Sequence, residues 1–120
     1  MAAPGQRAST VLVVDDDPLV RMVGADMMAD LGFDVLEAGG GAAALQLLAE
    51  RPEVVLMVTD IRMPGMDGVE LAERAMALRP ELKVIFVSGY RVGHTTLPAP
   101  LVQKPFATGD LRQAVDLQLS

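Results

Sequence analysis

The chain has 120 residues and 12.7 kDa, enough for one core and no second domain. Hydrophobic residues at 51% and charged ones at 22% place it among ordinary globular chains and exclude wholesale disorder. A formal charge of −6, four aromatic rings without Trp and no cysteine argue against nucleic-acid binding, disulfides and thiolate chemistry. Residues 1–9, small and polar with Pro4 and Gly5, read as a tail; they hold no apolar signal-like stretch, and no run suits a membrane span. A soluble cytoplasmic domain over 10–120 is the expectation.

Val11 to Val14 is a β-branched run without alternation, as in a parallel strand buried on both faces, and it ends in Asp15, Asp16 and Asp17. Pro18 suits a first helical turn, and Val20, Val23, Met27 and Leu31 recur at helical spacing until Gly32. Phe33 to Ala38 reads as a strand, Gly39 to Gly41 as a turn, and Ala42 to Glu50 as a helix closed before Pro52. Val54 to Val58 is a second buried run, finishing at Asp60. The loop IRMPGMDG follows, then a helix from Val69 to Leu78. Val84 to Val87 leads into Ser88 and Gly89. Gly93, Pro98 and Pro100 leave little room for a fourth helix, Leu101 to Gln103 makes a last strand, and Thr108 can cap a final helix. Such alternation predicts an α/β fold: a three-layer αβα sandwich around a five-stranded parallel sheet, with a shortened or irregular fourth helix. Ligands of such sheets sit beyond the carboxyl ends of the strands, where the polar residues here fall.

Asp15, Asp16 and Asp60 each follow an apolar run, so neighbouring strands would bring three carboxylates together. Like charges this close either raise a pKa or recruit a cation, and an all-oxygen set suits a hard ion such as Mg²⁺. Lys104, one of two lysines, follows the fifth run and can pair with a carboxylate or a phosphoryl oxygen; Ser88 adds a hydroxyl. A carboxylate nucleophile, a metal platform, a cation and a hydroxyl are the parts needed to accept a phosphoryl group. Asp60 stands alone before a loop and fits the nucleophile. Asp17 fits a helix cap.

In this order, VLVVDDDP, VTDIRMPGMDG, VSGY and QKPF resemble the receiver domain of two-component response regulators, over nearly all of Thr10 to Leu119. The resemblance implies strand order 2-1-3-4-5, an Mg²⁺ ion held by Asp16, by Asp15 partly through water, by Asp60 and by the Arg62 carbonyl, and phosphorylation of Asp60. It implies that Ser88 and Lys104 hold the phosphoryl group, that the Lys104–Pro105 peptide is cis, and that the partners are a histidine kinase or histidine phosphotransfer protein and a downstream protein reached by contact. Leu101 stands where most receivers carry an aromatic switch residue. PFATG resembles the signature of the alphaproteobacterial PFATGUY subgroup, which Asp110 and Leu111 do not complete; receivers of hybrid kinases are the competing placement. Tyr90 and Arg62, each two residues beyond a site residue, predict slow loss of phosphate. Met63 and Met66 read as turn residues or an adaptable surface, and His94 as an exposed loop imidazole. An Mg²⁺-dependent phosphohydrolase would want an acid where Arg62 stands, and a degenerate binding module would not need the full set. With no output domain after the last helix, the chain reads as a stand-alone regulator or a piece of a longer protein.

Overall fold

A computed structural model describes residues 9–89, 97, 99–104 and 107–119. Tyr90, His94, the Lys104–Pro105 peptide and nearly all of the stretch expected to hold a short fourth helix lie outside the described residues, as does the expected tail apart from Ser9. The elements run β1 (Thr10–Val14), α1 (Pro18–Asp30), β2 (Asp34–Ala38), α2 (Gly41–Glu50), β3 (Val54–Asp60), α3 (Gly68–Leu78), β4 (Lys83–Ser88), β5 (Leu101–Gln103) and α4 (Thr108–Leu119). All pairings are parallel, in the order β2-β1-β3-β4-β5, the flavodoxin-like arrangement.

The uninterrupted apolar runs are what a sheet covered on both faces requires. Leu12, Val14, Met57, Val84 and Phe86 point to one side, against Leu48 of α2 and Leu71 of α3. Val11, Val13, Leu56, Val58, Ile85 and Val87 point to the other, where Met28 of α1 and Leu111 of α4 close over them. Each strand thus feeds both layers by its period of two.

Several local departures have physical reasons. In α1 the buried residues are Ala25 and Met28; Met27 and Leu31 are half-buried, while Val20 and Val23 are exposed. Val20 and Val23 border an apolar hollow of about 270 Å³ above Val13, Val58 and Leu111. The helix is buried deepest at Ala25 and Met28; of the predicted stripe, Met27 and Leu31 pack against the core while Val20 and Val23 only border the hollow. Val55 is more than a third exposed: the register slips between Thr10 and Val11, leaving Val55 as a bulge opposite them. Gly32 (φ 100°) ends α1 with Phe33 N–H donating to the Met28 carbonyl at 3.2 Å and Gly32 N–H to Ala29 at 3.0 Å, a left-handed cap closed by glycine. The last helix begins at Thr108 rather than being capped by it, with the Asp110 carboxylate accepting from Ala107 N–H at 2.9 Å. Only three residues of β5 pair with β4, and Gln118 Nε2 donates to the Val84 carbonyl at 2.6 Å where that partner strand has run out.

At the amino edge of the sheet, Arg79 donates to the Arg51, Pro52 and Val54 carbonyls at 3.3, 2.8 and 2.7 Å. It ties α3 to the entry of β3. Arg79→Ala should cost about 2 kcal/mol, since charged donors are replaced by water at two carbonyls and lost at the half-buried third. A urea transition displaced by less than a quarter of that would show that solvent serves all three carbonyls as well.

Candidate functional site

β1 and β3 are neighbours, with Val14 opposite Thr59, so the next residues, Asp15 and Asp60, emerge side by side at the carboxyl edge. β4 lies on the far side of β3, and its Ser88 pairs with Gln103 of β5. Lys104 N–H donates to the Ser88 carbonyl at 2.7 Å, which brings the lysine to the same edge. Its Nζ donates to Asp15 Oδ2 at 3.2 Å and Asp60 Oδ2 at 3.3 Å.

The three consecutive aspartates divide the work. Asp15 is buried, and its Oδ1 accepts from Asp17 N–H at 2.9 Å while Oδ2 faces Lys104. Asp16 is exposed. Asp17 caps α1 by accepting from Leu19 N–H at 2.9 Å and Val20 N–H at 3.3 Å, as its position before Pro18 implies. Asp60 Oδ1 accepts from Arg62 N–H at 3.3 Å. Ser88 is buried at the end of β4.

One oxygen from each of Asp15, Asp16 and Asp60 lies within 4.8 Å of the others. Two oxygens bound to one small hard cation can stand no more than about 4.2 Å apart, so oxygens gathered this closely can share such an ion directly or through a bridging water. The set is all oxygen, anionic and partly open to solvent, as a hard divalent ion requires; the cluster can hold a metal.

The loop after Asp60 is closed by packing. Gly68 N–H donates to the Ile61 carbonyl at 2.7 Å, and a methyl group on Gly68 would stand 2.0 Å from the Asp60 carbonyl oxygen. Asp67 caps α3 through Glu70 N–H. Met63 is buried, and Met66 packs so tightly on Gly41 that a Cβ there would meet its Sδ at 2.6 Å. Both methionines close the turn instead of forming a free surface. Leu101 is half-buried opposite Phe86.

A family model described as the response regulator receiver domain matches residues 11–116. The chain belongs to that family. The receiver domain is 37% identical over 115 residues to the sensor kinase CckA of Brucella abortus, covering 90% of this chain but 12% of the kinase. It is 33% identical over 115 residues to the response regulator receiver protein CpdR of the same organism, covering 91% of this chain and 95% of CpdR. The crystal structure of the receiver domain from the hybrid histidine kinase CckA superposes with a TM-score of 0.79 at 33% identity, covering 92% of this chain and 99% of that one. The chain is thus homologous to the phosphoacceptor domains of response regulators and sensor kinases, a signalling module. No helix among the described residues is long and apolar enough to cross a membrane.

Sequence reasoning picked out the residues that meet here but missed Arg21, whose Nη1 donates to the Asp15 carbonyl at 2.9 Å. The available signal was that Arg21 is the one basic residue in α1. It passed unread because helical periodicity does not say which neighbour a polar side chain reaches. Gly68 was also missed, since the sequence shows a glycine after a turn but not the carbonyl pressed against it.

Proposed function

We propose that residues 10–120 act as a receiver unit in the cytoplasm, taking a phosphoryl group from the phosphohistidine of a histidine kinase or histidine phosphotransfer protein onto Asp60 and signalling to a downstream protein by contact. The observation that carries this reading is the Lys104 ammonium placed between Asp15 and Asp60, at 3.2 and 3.3 Å, where three carboxylates converge. In the transfer, an Asp60 oxygen attacks phosphorus, the P–N bond breaks, and the imidazole leaves with the electron pair. Lys104 keeps its contact with Asp15 while its other hydrogens follow the phosphoryl oxygen that arrives at Asp60. The Ser88 hydroxyl donates to a second phosphoryl oxygen. Asp15, Asp16, Asp60 and the Arg62 carbonyl would hold Mg²⁺, which when bound offsets charge on the transferring oxygens. The chain catalyses only this acquisition and the slow loss of its own phosphate, with Arg62 shielding the acyl phosphate from water.

Incubation of the native chain with acetyl phosphate and Mg²⁺ should add the mass of one phosphoryl group, and borohydride reduction should place it at Asp60. With EDTA in place of Mg²⁺ the gain should vanish. Modification at another aspartate, or equal modification with EDTA, would overturn the assignment.

A further inference from the structure

Resting on that reading of the acidic site, we propose that Arg21 is a positioning residue for metal binding: it fixes the peptide between Asp15 and Asp16, and Glu37 and Gly39 fix Arg21. The guanidinium spans three parts of the fold. Its Nη1 donates to the Asp15 main-chain oxygen at 2.9 Å, and its Nε to Glu37 Oε1 of β2 at 3.2 Å. A Cβ at Gly39 would stand 3.3 Å from Nη1, so the turn after β2 leaves the space the guanidinium occupies. With a side chain only 23% exposed, Arg21 is packed into this position.

The consequence concerns Asp16. The Asp15 N–H is already bound to the Ala38 carbonyl at 3.2 Å, and the Asp15 side chain to Asp17 N–H and Lys104. The Asp15 carbonyl is the remaining polar group before Asp16, and the peptide it belongs to determines where the Asp16 carboxylate points. Asp16 is exposed, so burial does not fix its side chain as it does that of Asp15. Arg21 therefore supplies through the backbone the order that burial gives Asp15. Residues that orient metal ligands from behind typically change affinity by about 10- to 100-fold when removed.

The test is Mg²⁺ affinity by calorimetry, with amide chemical shifts of Asp15 to Asp17 recorded in the metal-free protein and melting followed without Mg²⁺. Arg21→Ala should bind Mg²⁺ about 10- to 100-fold more weakly and should shift the Asp16 amide before any metal is added. Arg21→Lys, which can reach the carbonyl or Glu37 but not hold both in one plane, should fall between the two. Gly39→Ala leaves every charge in place and only crowds Nη1; it should weaken Mg²⁺ in the same direction, and it covers the case in which Arg21→Ala fails to fold. Native Mg²⁺ affinity within twofold in Arg21→Ala, or in Gly39→Ala should Arg21→Ala not fold, would overturn the proposal while leaving the site reading intact. If the native chain itself binds no Mg²⁺, or Asp16→Asn binds it as well as the native chain, the site reading falls and takes the proposal with it.

Discussion

Asp60→Asn should take up no phosphoryl group from acetyl phosphate and should melt higher than the native chain when Mg²⁺ is absent. The first effect follows from exchanging the attacking carboxylate for an amide of the same shape, which keeps the Arg62 N–H contact and loses the nucleophile. The second follows from charge. Asp60 has a carboxylate oxygen within 4.8 Å of two others and an ammonium at 3.3 Å. At an effective dielectric of about 20, each repulsion is roughly 3.5 kcal/mol and the attraction roughly 5 kcal/mol, so removing the charge relieves roughly 2 kcal/mol before solvent screening. About half of that, or a few degrees in Tm, is expected for a site open on one side. Saturating Mg²⁺ should reverse the order, because the native chain then gains binding free energy that the variant largely forgoes. Mass spectrometry and melts with and without Mg²⁺ check both; a variant that is phosphorylated at the native rate, or that melts lower in EDTA, contradicts the charge geometry described above.

Gly68→Ala should destabilise the domain by about 3 kcal/mol, the upper end of what one surplus methyl group costs in a packed site. Local propensity points the other way, since alanine is the better helix former by up to about 1 kcal/mol. Sterics win because the methyl carbon would meet the Asp60 carbonyl oxygen at 2.0 Å, and that oxygen is held in turn by the Thr59 hydroxyl at 2.9 Å. Either the loop from Ile61 to Asp67 opens or the acceptor strand shifts. Both move Asp60, so phosphate uptake should fall even below the denaturation midpoint, where the fold persists. Chemical denaturation together with uptake from acetyl phosphate separates this from simple unfolding; native stability with native uptake would show that the loop yields freely.

The strand runs and the acids that end them were legible because a parallel sheet demands unbroken apolar segments and puts the next residues at one edge. That made Asp15, Asp16, Asp60 and Lys104 readable as one cluster before any coordinates. The facing of α1 was only half readable: Met27 and Leu31 pack against the core as their spacing implies, but Val20 and Val23, which keep the same spacing, are left beside a hollow while Ala25 and Met28 are buried. Val55 looked like strand core because a bulge leaves no mark in composition. Contacts made by long polar side chains, Arg21 to Asp15 and Gln118 to Val84, depend on distances between elements that a one-dimensional pattern does not hold. The start of α4 differs by one position because Asp110 reaches back to Ala107, a reciprocal contact that Thr108 seemed to promise from its type alone.

The lysine bridge also sets an electrical interlock. Three carboxylates against one ammonium leave the pocket with two surplus negative charges, and a phosphodonor arrives carrying roughly two more. On the proposed reading, the pocket without a divalent ion would repel a phosphodonor, and with one it would be neutral. Once the acyl phosphate forms, the balance tips negative again, so the charged and uncharged forms present different fields to any protein that reads this edge.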